Sequence, residues 1–261
     1  MAKPTKKCAF CSGVPSNKGE HLWDDWLNDE LPKKTRFNAK KRLSIHADPI
    51  EFVQVGLREQ IPSVCTECNG GWMSALTARM KDRFSGPILK GEPFSLDARD
   101  AVLLAAFTFM KAVVKNHCYD DDPFFTRAAK ERLRTSLAIP PLVKMWIAAY
   151  QGSARYAFHS NFHIVSTSTP GPLDGLEFFS YTYIAGNLAL QLLAPRWKNI
   201  LDRGRPLVTL SPNHARWHSA ALQFWPFGGA EISWPPPFYL GDRVVEQFVN
   251  RFQMPINVPI S

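Results

Sequence analysis

Two cysteine pairs, Cys8-Ala9-Phe10-Cys11 and Cys65-Thr66-Glu67-Cys68, decide how the first third of this 261-residue chain folds. Two residues separate the cysteines in each pair, and this spacing forms a turn that directs both sulfurs to one point. Two such pairs supply the four thiolates of a closed tetrahedral zinc site. The spacing therefore predicts a structural zinc ion that joins these two distant segments.

The use of cysteine favours an intracellular zinc protein over a secreted disulfide scaffold. The chain has five cysteines, of which Cys118 lies outside the two pairs, and disulfide scaffolds are smaller and richer in cysteine. No apolar stretch follows Met1-Ala2-Lys3-Pro4, so we expect no secretory signal. The longest apolar run, from Ala101 to Met110, is too short to span a bilayer. We expect a soluble, cytoplasmic protein without a membrane partner.

The net charge of +8 and a pI near 9.3 suit a polyanionic partner such as nucleic acid. Residues 1–90 contain 15 Lys and Arg against 10 Asp and Glu, so most of the excess lies in this part. Hydrophobic residues make up 45% of the chain and include 8 Trp and 18 Phe, which excludes a disordered protein.

The sequence patterns predict an α+β protein with two domains, residues 1–85 and 86–261. In the first domain, apolar residues at helical spacing predict helices over 20–31 and 72–84, the latter ended by Gly86-Pro87. Alternation over 51–57 predicts a strand between them.

The second domain is predicted to begin with helices and to continue as a mainly antiparallel sheet. Its helical part covers 95–150, with Asp97 or Ser95 as the first cap and separate helices over 126–137 and 142–150. The strand-rich part covers 154–235 and includes a turn at Gly186-Asn187. A final helix is predicted over 242–252.

A basic stretch between the cysteine pairs is the candidate nucleic-acid contact. Such a cluster is also typical of a solvated surface, so the charge alone does not decide between these interpretations. Its members are Lys33, Lys34, Arg36, Lys40, Lys41 and Arg42.

The order of the motifs along the chain resembles the HNH endonuclease superfamily, in particular bacterial and phage proteins with two C-x-x-C pairs. The motifs are Cys8-x-x-Cys11, Gly19-Glu20-His21 and Val64-Cys65-x-x-Cys68-Asn69-x-Gly71-Trp72-Met73. The resemblance covers residues 8–84. It implies an N-terminal zinc-stabilised ββα-metal module that hydrolyses phosphodiester bonds of DNA with one Mg²⁺ ion.

The resemblance also implies roles for four side chains. His21, on the first strand, is the general base that takes a proton from the attacking water. Glu20 and Asn69 are the oxygen ligands of the catalytic Mg²⁺. Gln60 stands five residues before Cys65, where related proteins carry the Asn that orients the histidine.

Several features depart from that pattern and keep other functions open. Gln60 replaces Asn, Glu20 replaces the commoner Asp, and 43 residues separate His21 from Cys65. Glu20-His21 also suits the start of a helix, and Asn69 begins the turn sequence Asn-Gly-Gly. One alternative is a zinc-stabilised protein that binds nucleic acid or protein without chemistry. Another is a phage or mobile-element effector that acts on a host protein through its C-terminal region. In the nuclease, the same region would select the substrate, form a homodimer or bind a partner.

Overall fold

The computed structural model describes residues 7–17, 19–30, 36–41, 50–56, 59–117, 124–152, 157–165, 176–197 and 217–252. Within these residues the chain is a mixture of helix and sheet with the four paired cysteines close together near the N-terminus, which agrees with the α+β prediction at this level.

Six α-helices lie in the described part of the chain. Helix α4 begins after Asp97, whose Oδ1 accepts hydrogen bonds of 2.8 Å from the backbone N–H groups of Arg99 and Asp100. Asp97 is therefore the predicted cap, which satisfies donors that have no partner inside the helix. A π-helical segment, Asn69–Met73, joins the second helix to the third. The helices are α1 (Asp25–Glu30), α2 (Thr66–Cys68), α3 (Ser74–Lys90), α4 (Ala98–His117), α5 (Arg127–Ser136) and α6 (Asp242–Val249).

The described strands form one antiparallel sheet of five strands and three two-stranded pairs. The strands are β1 (Glu20–His21), β2 (Arg36–Lys41), β3 (Ile50–Val55), β4 (Gln60–Ile61), β5 (Phe94–Leu96), β6 (Lys144–Ala149), β7 (Ala157–Val165), β8 (Leu176–Ala185), β9 (Leu188–Trp197), β10 (Ala221–Trp225) and β11 (Ile232–Trp234). The large sheet has the order β10-β6-β9-β8-β7, and the pairs are β1 with β4, β2 with β3 and β5 with β11.

Helix α4 lies at the centre of the hydrophobic core. Almost every side chain from Ala101 to Asn116 is buried, because α4 packs between α3 and the large sheet. Phe107 meets Tyr183 of β8 edge to face with ring centroids 5.6 Å apart. Phe10 and Leu22 belong to the same continuous apolar cluster. The cysteine-containing segments and the region beyond residue 86 therefore share one core.

The segment predicted as a helix over 20–31 begins instead as a strand. Glu20 and His21 pair with β4, and the Leu22 N–H donates to the Glu59 carbonyl at 3.0 Å. The helix starts only at Asp25. The apolar residues that suggested a longer helix are buried as expected, but pairing with a distant strand satisfies the backbone of the first residues.

Gly86-Pro87 does not end α3, which continues to Lys90. A proline inside a helix removes one backbone donor, yet Pro87 and Ile88 are buried against the core, and this packing outweighs the loss. The helix ends where Gly91 adopts a φ of 71° and its N–H bonds the Pro87 carbonyl at 3.0 Å.

The helix predicted over 142–150 is wrong, because Lys144–Ala149 is strand β6. This strand lies between β10 and β9 and is buried on both faces from Met145 onward. A strand covered on both sides has a continuous apolar run, and periodicity cannot distinguish such a run from a buried helix. The strands predicted on either side of Gly186-Asn187 are confirmed as β8 and β9. The last helix is confirmed but ends at Val249 rather than residue 252.

The turn between β8 and β9 docks on the end of α3. Asn187 bonds the Ile88 carbonyl through its backbone N–H at 2.8 Å and through Nδ2 at 3.1 Å. Gly186 has a φ of 53°, and a Cβ on it would lie 2.1 Å from the same carbonyl oxygen. The close approach of two backbones therefore requires glycine at this position.

Replacement of this glycine should destabilise the protein. We expect Gly186→Ala to lower the free energy of unfolding by about 1–3 kcal/mol, because the added methyl group meets backbone and the φ is unfavourable. Urea denaturation measures the change. Gly228→Ala is the control, since a Cβ there meets no atom within 4 Å. Equal stability of the two variants would contradict the docked turn.

Helix α5 carries a buried lysine without a carboxylate partner among the described residues. Thr126 caps this helix, and Lys130 on its buried side is only 6% exposed. Burial, with a smaller contribution from the charge of Arg127, lowers the pKa of Lys130 to about 8.

This pKa predicts a pH dependence of stability. Between pH 8 and about 10 the unfolded chain binds more protons at this lysine than the folded chain does. The free energy of unfolding should therefore rise with pH in this range, by up to about 3 kcal/mol. Lys130→Met should remove this rise and stabilise the protein at pH 7. Denaturant unfolding at several pH values tests it, with the exposed Lys81→Met as the control. A Lys130→Met variant that keeps the full rise would show that another group causes it.

Candidate metal centre and histidine site

The four predicted zinc ligands lie together. The Sγ atoms of Cys8, Cys11, Cys65 and Cys68 are within 4.8 Å of one another, and those of Cys11 and Cys65 are 3.5 Å apart. Four sulfurs at the usual zinc–sulfur distance are separated by about 3.8 Å in a tetrahedron. The cysteines are thus arranged to hold a metal ion, and their geometry is compatible with structural zinc.

Backbone contacts bring the two cysteine pairs into this arrangement. The Ala9 N–H donates to the Ser63 carbonyl at 2.7 Å, and the Ser16 N–H donates to the Val64 carbonyl at 2.8 Å. Each sulfur of the first pair also accepts a backbone N–H, from Phe10 to Cys8 and from Gly13 to Cys11, at 3.5 and 3.3 Å. Hydrogen bonds of this kind favour the thiolate that a metal requires.

Burial opposes ionisation of these thiols. It raises the pKa of Cys68 and Cys11 above the ordinary range. In Cys8 the effect of burial is smaller than that of the surrounding N–H donors, which lower its pKa. Four neighbouring thiolates also repel one another, so a cation between them favours the ionised form of all four.

The imidazole of His21 is held from two sides. The pairing of β1 with β4 places His21 opposite Gln60, and its Nε2 contacts the Gln60 amide nitrogen. Its Nδ1 contacts the carboxylate of Asp25 at the start of α1. The side chain is 23% exposed, so part of the ring faces solvent. Gln60 was expected beside the histidine, whereas Asp25 was not. Asp25 follows His21 by four residues, and this spacing is a signal that could have identified it.

Asn69 lies beside the strand that carries Glu20 and His21. Its Nδ2 donates to the Gly19 carbonyl at 3.2 Å, and its backbone N–H bonds the Cys65 carbonyl at 3.0 Å. The second cysteine pair therefore places Asn69 next to β1. Its role as a metal ligand stays a prediction.

Glu20 is buried and forms an ion pair that the sequence did not indicate. It is 6% exposed, and its Oε1 lies 2.8 Å from Nζ of Lys111 on α4. The same Nζ lies 2.8 Å from Oδ1 of Asp24 and 2.7 Å from the His21 carbonyl oxygen. The only sequence signal for this cluster is the lysine at the end of the apolar run Ala101–Met110.

The charges of this cluster depend on one another. Burial alone would lower the pKa of Lys111, but Asp24 and Glu20 raise it above its ordinary range, so the ammonium stays charged. Burial raises the pKa of Asp24, and the attraction of Lys111 opposes this shift.

The predicted nucleic-acid contacts are described only in part. Arg36 is exposed at the start of β2, opposite Val55 of β3. Lys40 and Lys41 lie in the same strand, but only their backbone is described. Lys33, Lys34, Arg42 and the unpaired Cys118 lie outside the described residues. Contact of these residues with phosphate stays a prediction.

Comparisons with known proteins add no family to this site. No family model matches the chain, and no significant match exists among curated proteins or solved structures. Of the resemblance to HNH proteins, the cysteine cluster is the part that the structure bears out. None of the helices in the described ranges has the length and hydrophobicity needed to cross a membrane.

Loss of one cysteine ligand should release the metal. We expect Cys68→Ser to reduce a content of about one metal ion per chain to near zero, and to lower the midpoint of thermal unfolding, because ligand binding stabilises only the folded state. Elemental analysis and thermal unfolding with and without a chelator measure both effects. Cys118→Ser is the control and should keep the metal. Wild-type protein that lacks metal and is unaffected by chelator would exclude the centre.

Proposed function

We propose that the protein is a zinc-stabilised nuclease of the HNH type that hydrolyses DNA phosphodiester bonds with His21 as the general base and one Mg²⁺ ion. The observation that supports it most is the setting of His21. Its strand pairs with β4, which leads through a short turn to Cys65, α2 and Asn69. This order of strand, strand and helix beside a cysteine cluster is the one that the HNH resemblance implies.

The contacts of His21 suit a proton acceptor. A carboxylate on Nδ1 orients an imidazole and stabilises its protonated form, as in other enzymes that use histidine as a base. Asp25 occupies that position and leaves Nε2 as the basic nitrogen. The Gln60 amide contacts Nε2, so the attacking water takes the place of Gln60 when His21 acts as the base.

The residues beside His21 fit a hard divalent cation. Glu20 uses Oε1 for Lys111, and Oε2 is the oxygen that we assign to the ion. Asn69, whose Nδ2 bonds the Gly19 carbonyl just before β1, would add its amide oxygen. A Mg²⁺ ion held by these two side chains and water would offset the charge that develops on the phosphate and the leaving oxygen.

A second candidate function is binding of nucleic acid without cleavage. The observation that favours it is the Lys111 ammonium on Glu20, because this contact already neutralises the carboxylate that the nuclease would use for its metal. The basic stretch around β2 would then supply phosphate contacts alone.

Removal of the imidazole tests the nuclease directly. We expect His21→Ala to reduce Mg²⁺-dependent nicking of supercoiled DNA by about 10²–10⁴-fold, since this is the usual contribution of a general base. The zinc content should stay at one ion per chain. His218→Ala, which changes an exposed histidine elsewhere in the chain, should leave the rate unchanged.

Two results would count against the nuclease. Full cleavage by His21→Ala would exclude His21 as the base. Wild-type protein that fails to cleave DNA with each divalent ion tested, but binds DNA with an affinity that falls steeply with salt, would support the second candidate. The slope of affinity against salt counts the phosphates that the protein contacts.

A further inference from the structure

We infer that Lys111 is a positioning residue of the candidate site, and that helix α4 therefore belongs to the site although it lies outside residues 1–85. The expected effect of Lys111 on catalysis rests on the proposed nuclease function. It assigns to α4 the task of holding Glu20 and His21 in the orientation that the chemistry needs.

The hydrogen bonds of Lys111 use the whole ammonium group. A lysine has three N–H donors, and Nζ has three acceptors at 2.7–2.8 Å: Glu20 Oε1, Asp24 Oδ1 and the His21 carbonyl oxygen. Its side chain is 0% exposed. A buried cation with every donor satisfied has a single favourable position, because any displacement would leave a charge or a carbonyl without a partner.

Strand β1 needs such support because it is short. Only Glu20 and His21 form the ladder with β4, and a two-residue ladder contributes few backbone hydrogen bonds. Lys111 bonds the side chain of the first residue and the carbonyl of the second. These two contacts hold the Glu20 carboxylate and the peptide between His21 and Leu22, and thereby restrict the direction in which both side chains leave the backbone.

The second strand of the pair is held from the same helix. Lys115, one turn after Lys111, lies 3.3 Å from Oε1 of Glu59, the residue before β4. The Glu59 carbonyl in turn accepts the Leu22 N–H at 3.0 Å. Two lysines one turn apart on α4 thus contact β1, which carries His21, and the residue just before Gln60.

The position of Lys111 is set by the core rather than by the site. Phe107, one turn earlier on α4, places its ring centroid 5.5 Å from Nζ and packs against Tyr183 of the large sheet. A rigid helix in the centre of the core is a suitable support for a residue that must hold others in place.

The test uses a variant that removes Lys111 without changing the net charge of the cluster. Lys111→Met alone would leave two buried carboxylates without a cation, and we expect this to destabilise the folded state strongly. Lys111→Met combined with Asp24→Asn keeps one negative charge, as in the wild type. Asp24→Asn alone shows how much of any effect comes from the second change, and Arg99→Gln is a control for an exposed charge on α4.

We expect the double variant to keep its zinc and its affinity for DNA while kcat for Mg²⁺-dependent nicking falls about ten- to a hundredfold, because small displacements of catalytic groups have effects of this size. Asp24→Asn should lose less, and Arg99→Gln should lose nothing. The NMR resonances of the His21 ring should shift in the double variant. A folded double variant with wild-type kcat and unchanged His21 resonances would overturn the inference.

Two further outcomes are decisive. If the double variant does not fold, Lys111→Arg keeps the charge but cannot direct three N–H groups from one atom. A shifted His21 ring and a reduced kcat in this variant support the inference, and wild-type values overturn it. If the wild-type protein cleaves no DNA, the proposed nuclease fails. The His21 resonances of the folded variants then decide the positioning role alone, since displaced resonances support it and unchanged ones refute it.

Discussion

The approach of four cysteine sulfur atoms to within 4.8 Å is the constraint on which the N-terminal structure depends. It joins the loop at residues 8–11 to the start of α2, and the strands β1 and β4 lie between these two points in the chain. Burial disfavours the thiolates, and their mutual repulsion adds to the penalty, so a cation is needed if all four are to bind as ligands. A metal ion bound by these sulfurs would stabilise the segments that carry Glu20, His21 and Asn69.

Helix α4 supplies the second support of the same segments from inside the core. It combines a buried apolar surface with two lysines that contact the strand pair, Lys111 at β1 and Lys115 beside β4. Its last residue, His117, also lies 2.9 Å from the Lys7 carbonyl, just before the first cysteine. Ion pairs and hydrogen bonds from α4 therefore stabilise the N-terminal segments that carry the cysteines and His21. This helix itself packs against the large sheet.

The ion pair between Lys111 and Glu20 is also where the two candidate functions diverge. In the nuclease, the ammonium fixes one carboxylate oxygen and leaves the other for a divalent ion. In a binding protein, the same ammonium satisfies the carboxylate and no ion is needed. Both interpretations use the same atoms, and they differ in whether Glu20 binds a second cation.

Features that depend on neighbouring residues could be predicted from the sequence alone. These include the four clustered cysteines from their spacing, the cap Asp97, and the turn at Gly186-Asn187, since each follows from local geometry. Only the tertiary structure decided that Lys144–Ala149 is a strand, that α3 continues through Pro87 and that Lys111 pairs with Glu20. In each case the deciding partner is distant in the chain, and a local pattern of residue types contains no information about which distant surface will cover it.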